Sequence, residues 1–249
     1  MLQSTRRRLN YKHSGEQSMR KTKILAIVPY EGMREVLLQE ASRRDDVLLD
    51  VFFGDLQDGA AIAKARAKSG YDVIISRGGT AGLIKESVHL PVIDAVPTIY
   101  DLLRFVRMAD NLSAKFAIVG FANVTLVAKK LFDIIDRDID IYTLKQSSDA
   151  EEVIQRLAKQ GYTLIIGDVI TVDTAKRFQM NSILIASGEE SIQNALNEAV
   201  YYQKLIDNTL QHNLFFQDII EESNLSIVVY NAQEQLLYSS LSDNQLEYQ

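Results

Sequence analysis

The sequence has no cysteine and only three histidines among its 249 residues. Without cysteine, the chain can form no disulfide, no thiolate metal site and no cysteine nucleophile. The histidines, His13, His89 and His212, lie far apart in the sequence, which argues against a histidine metal site. We therefore expect neither a bound metal nor another cofactor.

Clustered positive charge and long apolar runs are also missing. The net charge of −6 disfavours broad contact with phosphate backbones, which requires grouped cations. No apolar run reaches the roughly 18 to 20 residues that span a bilayer. The hydrophobic fraction of 47% and the charged fraction of 24% are typical of a soluble globular protein. These features predict a cytoplasmic protein that contacts neither a membrane nor nucleic acid directly.

The most informative stretch is residues 71–82, where a strand pattern runs into a glycine pair and then into a helix pattern. Its apolar residues, 73–75, are typical of a strand buried on both faces in a parallel sheet. Ser76 and Arg77 then lie at the carboxyl end of the strand.

The glycine pair makes this stretch a candidate anion-binding site. Gly78 and Gly79 permit a sharp turn and leave backbone amides uncovered, and Thr80 is predicted to cap the next helix. Uncovered amides at a helix start, beside the guanidinium of Arg77, favour a bound anion. The alternative is an ordinary tight turn with a solvated Arg77.

From Lys23 onward, strand and helix patterns alternate, which predicts parallel pairing in a layered α/β fold. The series then repeats. Residues 115–119 correspond to 24–28, 158–167 to 67–76, and 182–185 to 91–94, each at a shift of 91 residues. A constant shift over three elements indicates a duplicated unit.

We expect the two copies to form lobes with a groove between them, and Pro97 to lie in the first turn of the helix that leaves the first copy. After the second copy, residues 192–222 predict a long helix that connects domains, forms a dimer or packs on its own lobe, followed by two short strands. The predicted segments are a disordered leader at 1–20, a first lobe at 21–96, a crossover helix and second lobe at 97–186, a returning helix and linker helix at 187–222, and an incomplete further domain at 223–249.

Ligands of open parallel sheets bind beyond the carboxyl ends of the strands. That rule brings loops of both lobes to the groove, with Tyr30 and Phe121 as equivalent aromatics that either flank a ligand or cover their own cores. The candidate ligand-binding residues are Tyr30, Glu31, Ser76, Arg77, Gly78, Gly79, Thr80, Phe121, Asn123, Asp168, Ser187 and Gly188.

The two lobes differ at the anion loop. Asp168 is the equivalent of Arg77, and the glycine pair is lost in the second copy, so two identical sites are excluded. Our hypothesis is that Arg77 meets a ligand carboxylate and that Asp168 accepts a ligand hydroxyl or pairs with Arg77 in an empty groove. Ser187 and Gly188 offer a weaker second anion site or a plain helix cap.

The sequence gives little support for catalysis. Two-lobed α/β racemases use a cysteine pair, which is absent here. The chain also has neither a dinucleotide-binding nor a nucleotide phosphate-binding glycine motif. We therefore expect binding without turnover.

The sequence from Ile74 to Ala81, followed by residues 90–94, resembles the amino-terminal receptor domain of the propionate-catabolism regulators, over about residues 22–205. The resemblance implies a sigma-54-dependent transcription activator whose receptor consists of two four-stranded α/β lobes with strand order 2-1-3-4. In the propionate regulator itself, the implied effector is 2-methylcitrate.

The resemblance also implies a PAS domain beginning near residues 219–241, and AAA+ and helix-turn-helix domains that lie outside this sequence. DNA and sigma-54 RNA polymerase would be contacted only through those domains. We therefore expect a sensor domain that binds a small carboxylate and forms a homo-oligomer. An enzyme acting on a carboxylic acid, and a dimerisation module with a vestigial groove, remain the alternatives.

Overall fold

The computed structural model describes residues 20–112, 115–222 and 227–239. Apart from residue 20, the predicted leader lies outside the described residues, as do 223–226 and 240–249 of the predicted further domain. The chain divides into two compact units, with the boundary between Ala199 and Val200.

The first lobe is a four-stranded parallel sheet in the order β2-β1-β3-β4, with helices between successive strands. Its elements are β1 (Thr22–Val28), α1 (Glu31–Ser42), β2 (Val47–Phe53), α2 (Leu56–Arg66), β3 (Val73–Ser76), α3 (Gly78–Ser87) and β4 (Val92–Asp94). The central strands β1 and β3 are almost wholly buried, which explains their continuous apolar sequences.

The second lobe repeats this arrangement in the order β6-β5-β7-β8. Its elements are α4 (Ile99–Asn111), β5 (Phe116–Phe121), α5 (Ala122–Ile134), β6 (Ile141–Leu144), α6 (Asp149–Lys159), β7 (Leu164–Gly167), α7 (Val169–Arg177) and β8 (Asn181–Leu184). The predicted fold, a tandem pair of α/β lobes with strand order 2-1-3-4, is confirmed.

The strand register shows that the predicted constant shift of 91 residues was wrong. The amides of Asp72 and Thr163 donate to the carbonyls of Lys23 and Lys115, so the third strands match at 91 (72 to 163) but the first at 92 (23 to 115). The last strands match at 90, because Ser76 pairs with Asp94 whereas Gly167 pairs with Leu184 (94 to 184). Differences of one or two residues in the connections therefore separate two otherwise similar lobes.

Each crossover helix packs against the other lobe from the one whose last strand it follows. The apolar face of α4 (Leu102, Val106 and Ala109) lies in the second lobe's core with residues of β5 and α5. The last helix, α8 (Glu189–Glu222), begins after β8, and its first turns contact α1 of the first lobe. Gln193 donates to Glu40 at 2.7 Å, and Arg44 donates to Asn197 at 2.5 Å.

Two predicted helix starts needed correction. Helix α3 begins at Gly78, with Arg77 in the N-cap position, so Thr80 lies inside the helix and does not cap it. Pro97 precedes the N-cap of α4, which is Thr98, and therefore lies outside the first turn. At α4 a capping box marks the helix start, because the side chains of Thr98 and Asp101 each accept from the other's amide. At α3 the Thr80 hydroxyl donates to Asp55 instead of capping the helix.

The unit from Val200 contains the remainder of α8 and an antiparallel pair, β9 (Val228–Tyr230) and β10 (Leu236–Ser239). The helix carries many exposed apolar side chains after residue 200, among them Leu205, Leu210, Leu214 and Ile219. In the described parts of the chain, no helix combines the length and the apolar character needed to cross a membrane.

A buried glycine offers a test of the second lobe. A Cβ at Gly167 would lie 2.1 Å from the Val119 carbonyl oxygen and 2.7 Å from a Thr171 methyl carbon, whereas one at Gly82 would meet nothing within 4 Å. We expect Gly167→Ala to lower the free energy of unfolding by about 2 to 3 kcal/mol, because the close-packed core must shift. Urea denaturation measures this change.

Gly82→Ala is the matched control for this substitution. Gly82 lies within α3, where alanine is favoured over glycine by up to about 1 kcal/mol, so this variant should be unchanged or more stable. Equal stability of the two variants would contradict the tight contact between β5 and β7.

Candidate functional site

The lobes face each other across a cleft with an inner and an outer cavity. The inner cavity has a volume of about 30 Å³, and the outer one about 560 Å³. Residues of both lobes line each cavity, as expected at the carboxyl ends of parallel strands. The inner cavity is lined by Pro29, Asp55, Leu56, Arg77, Gly78, Gly79, Thr80, Phe121, Asn123, Val124, Asp168, Val169 and Ile170. The outer is lined by Gly78, Gly79, Gly82, Lys85, Asp94, Phe121, Ala122, Asn123, Thr143, Leu144 and Lys145.

Arg77 is a buried cation at the junction of the lobes, with 5% of its surface exposed. Its guanidinium donates to the Tyr30 hydroxyl at 2.5 Å and to the carbonyl oxygen of Ile185 in the second lobe. Both acceptors are neutral, and Arg77 forms no ion pair within the described parts of the chain. A buried charge without a counterion favours the approach of an anion.

The two predicted aromatics both reach the opposite lobe, but they have different surroundings. The Tyr30 hydroxyl accepts from the Ser187 amide at 2.9 Å, and Tyr30 lines neither of the two cavities. Phe121 lines both, and its ring lies against Gly79, where a Cβ would be 3.2 Å from the ring. The aromatics therefore do not flank a common cavity.

The predicted amide loop is only partly open. The Gly78 amide donates to an Asp94 carboxylate oxygen at 2.9 Å, and Arg77 supplies no side-chain cap to α3. The amides of Gly79 and Thr80 make no hydrogen bond within the described residues. Two amides at the start of α3 thus remain available beside Arg77.

Asp94 was not among the residues singled out from the sequence, although it follows the rule that identified Arg77, since it also ends a strand. Its second carboxylate oxygen accepts from Asn123 Nδ2 of the other lobe at 3.0 Å. Burial raises the pKa of Asp94, while the hydrogen bonds from Gly78 and Asn123 and the charges of Lys85 and Arg77 act in the opposite direction. Asn123 Oδ1 is buried without a partner in the described chain.

Asp168 lines the inner cavity, but its carboxylate oxygens already have backbone partners. One accepts from the Thr171 amide at 3.0 Å and caps α7, and the other accepts from the Phe121 amide at 3.1 Å. The predicted pairing with Arg77 in an empty groove is not found, because Arg77 bonds to Tyr30 and Ile185 instead. Asp168 is fixed by the helix that it caps.

Three other predicted positions have side chains that already bond to other groups of the protein. The Ser76 hydroxyl donates to the Ile27 carbonyl inside the first lobe at 2.7 Å. Glu31 pairs with Arg34 at 2.8 Å on the surface of α1. Thr80 lines the inner cavity, but its hydroxyl donates to Asp55 at 2.7 Å and accepts from the Leu56 amide at 2.9 Å.

The predicted second anion site is occupied by groups of the protein. The Ser187 amide donates to Tyr30, and the Gly188 amide donates to Asp101 at 3.1 Å. Asp101 is buried and also accepts from the Thr98 amide and the Ser191 hydroxyl. These contacts agree with the plainer interpretation, a helix cap, at the point where α4 and α8 begin.

Asp168 gives a test of this local assignment. Asp168→Ala should lower the free energy of unfolding by about 1 kcal/mol, because α7 loses its cap. Asp168→Asn retains an acceptor for the Thr171 amide and should recover most of the loss. Chemical denaturation of the three proteins measures both effects, and equal losses in the two variants would contradict the capping role.

Asp94 gives a pH test. Because its folded-state pKa is raised, the folded chain binds the proton more tightly, and stability falls as pH rises through the window from the ordinary value of 3.8 to the raised pKa. Asp94→Asn removes this titration. The free energy of unfolding of the wild type, minus that of Asp94→Asn, should therefore decrease as the pH rises from 3.8 through the raised pKa.

Denaturant titrations across this range measure that difference, with the exposed Asp58→Asn as the control. An increase with pH would mean that the hydrogen bonds of Asp94 outweigh the effect of its burial.

In the described chain, no group of histidine and carboxylate side chains is arranged to hold a metal ion.

Known structures resemble this chain to different degrees. An NtrC family transcriptional regulator from Clostridium acetobutylicum has the same fold, with a TM-score of 0.65, 22% identity, and coverage of 74% of this chain and 98% of that one. An ABC domain in complex with L-Trp from Streptococcus pneumonia matches with a TM-score of 0.37, 12% identity, and coverage of 77% and 85%. A solute-binding protein of an ABC transporter system from Conexibacter woesei matches with a TM-score of 0.35, 13% identity, and coverage of 76% and 81%.

The sequence model of one family also matches the chain. It is described as propionate catabolism activator, and it matches residues 43–209, which is 167 of the 249 residues. The chain therefore belongs to the propionate catabolism activator family and is a sensor domain of a transcriptional regulator.

Proposed function

We propose that this domain binds a small carboxylate in the cleft between its lobes and signals its presence to the output domains of a sigma-54-dependent activator. The observation that carries the proposal is the buried guanidinium of Arg77, which has only neutral partners in the described chain and lines a cavity shared by both lobes. The Gly79 and Thr80 amides lie next to it and would donate hydrogen bonds to the same anion.

The size of the inner cavity bears on how a ligand would enter. A volume of about 30 Å³ accommodates about two water molecules, which is too little for a di- or tricarboxylate. Binding of such an acid therefore requires the lobes to separate from the arrangement seen here. A ligand that fits only a different arrangement shifts the population towards it, which is the requirement for a sensor.

The connection to α8 supports transmission of such a change. The helix follows β8 of the second lobe, yet Gln193 and Asn197 hold its first turns to α1 of the first lobe. The intervening link contains Ile185 and Ser187, the partners of Arg77 and Tyr30. A ligand that competes for Arg77 acts directly on the link from which the signalling helix begins.

Asn123 indicates which kind of carboxylate the cleft would prefer. Its buried Oδ1 needs a donor, which a carboxylate ion lacks but a hydroxyl group has. We therefore propose a hydroxy acid as the effector. This function involves no turnover, and DNA and sigma-54 RNA polymerase would be engaged only by other domains of the regulator.

A thermal-shift screen of di- and tricarboxylates tests the site. The wild type should gain stability with its effector, by about 2.7 kcal/mol at 100 times the Kd. Arg77→Ala should raise the Kd by about 10- to 100-fold, since a hydrogen bond to a charged group contributes about 1.5 to 3 kcal/mol. Each variant is compared with its own ligand-free melting temperature, so a general loss of stability cancels.

Arg107→Ala is the charge-matched control, because Arg107 is exposed on α4 and lines neither cleft cavity. It should respond to ligand like the wild type. An undiminished response of Arg77→Ala would refute the role of Arg77. Turnover of an acid in the screen would favour the enzyme alternative, and concentration-dependent mass with no ligand response would favour the dimerisation module.

A further inference from the structure

In each lobe a helix follows the third strand, α3 in the first and α7 in the second. The backbone amides at the starts of these two helices have different hydrogen-bond partners. In the second lobe, the N-cap residue Asp168 caps its own helix through the Thr171 amide. In the first lobe the N-cap residue is Arg77, which supplies no cap, and the Gly78 amide is met by Asp94 from β4. The register puts the apolar Leu184 at the corresponding position of the second lobe. The carboxylate on this amide is therefore a feature of the lobe that has the anion loop.

The same carboxylate touches both lobes. One oxygen of Asp94 lies 2.9 Å from the Gly78 amide and the other 3.0 Å from Asn123 Nδ2, in the first turn of α5. Asp94 also lines the outer cavity, together with Lys85 and Lys145. A protein carboxylate thus occupies the opening of the cleft, on one of the amides that would receive a ligand carboxylate.

Asp94 is held there without a direct counterion. No ion pair of Asp94 is present among the described residues, and the nearby charges of Lys85 and Arg77 act on it only through space. Two hydrogen bonds offset the desolvation of this carboxylate. A free carboxylate placed between Arg77 and the Gly78 amide would gain the same amide and a buried cation as well.

We infer that Asp94 is a built-in substitute for the effector: in the empty domain it occupies the Gly78 amide and closes the cleft through Asn123, and an incoming carboxylate displaces it. The first consequence of binding is then the loss of a contact between the lobes. This inference rests on the proposed function, because it assigns the regulation of the same site.

The closure can be measured without any ligand. The chain has no cysteine, so two introduced residues, Lys64→Cys on α2 and Lys159→Cys on α6, can carry a pair of spin labels without background. Both positions are exposed, one on each lobe. Asp94→Ala and Asn123→Ala should each lengthen or broaden the distance distribution measured by double electron–electron resonance. Asp94→Asn should leave it unchanged, because its amide can still bond to Gly78 and to a reoriented Asn123.

Competition is measured by calorimetric titration with citrate as the probe. Asp94→Ala should bind citrate about tenfold more tightly than the wild type, the factor expected when one competing charge-assisted hydrogen bond is removed. Asp58→Ala removes an equal charge from the exposed first turn of α2 and should change the affinity much less. This control separates competition at the amide from general attraction of an anion.

The two measurements fail in different ways. Unchanged distances in both Asp94→Ala and Asn123→Ala overturn the closure, whatever the domain binds. Longer distances with unchanged or weaker citrate binding overturn the role of Asp94 as a substitute for the effector, because Asp94 would then not compete with citrate. Absence of citrate binding in every variant counts against the proposed function for this acid, and the distance measurement still decides the closure. If Asp94→Ala does not fold, Asn123→Ala tests the same contact.

Discussion

The structure depends on a positive charge that is buried where the two lobes meet. Arg77 loses most of its hydration there and receives only a phenol and a peptide carbonyl in return, within the described chain. A guanidinium in this position is stable only if neutral dipoles are arranged around it, which links Tyr30, Ile185 and Ser187 into one network. The same network joins the lobes, so an anion that alters it also alters the relation between them.

Duplication provides the scaffold for this site, and small departures from duplication provide its chemistry. The four strands of the second lobe are shifted by 92, 90, 91 and 90 residues from those of the first, so the connections differ in length by one or two residues while the sheets stay alike. The shorter last connection puts Leu184, not Ile185, at the position of Asp94. The second lobe therefore has no acid there, and its Asp168 stabilises α7. In the second lobe the carboxylate that covers a helix amide comes from the N-cap residue of the same helix, whereas in the first lobe it comes from β4.

The sequence was sufficient to predict the fold because its signals are local or repeated. Buried strands such as residues 73–75 appear as apolar runs, and the matched glycines Gly70 and Gly161, in the turns after α2 and α6, have the same left-handed φ of 80°. The site was less predictable. Arg77 and Phe121 could be named from their place after a strand, and both line the inner cavity.

The partners of these residues could not be named, because they come from distant parts of the chain. Ser76, Thr80 and Asp168 have the composition of ligand-binding residues, yet their side chains serve Ile27, Asp55 and α7. Such contacts leave no periodic pattern in a sequence.

Asp94 shows how this limit hides a residue on which the proposed regulation depends. From the sequence it ends a short strand and has no visible partner. In the structure it accepts from Gly78, 16 residues earlier, and from Asn123, 29 residues later, and only this pairing reveals its relation to Arg77. A receptor that must respond to a carboxylate benefits from holding one of its own, because its unliganded state is then a defined structure with its amide satisfied. In the proposed mechanism, binding is an exchange of one carboxylate for another. The response depends on the difference between two similar interactions, which keeps the free energy of the switch small and the transition reversible.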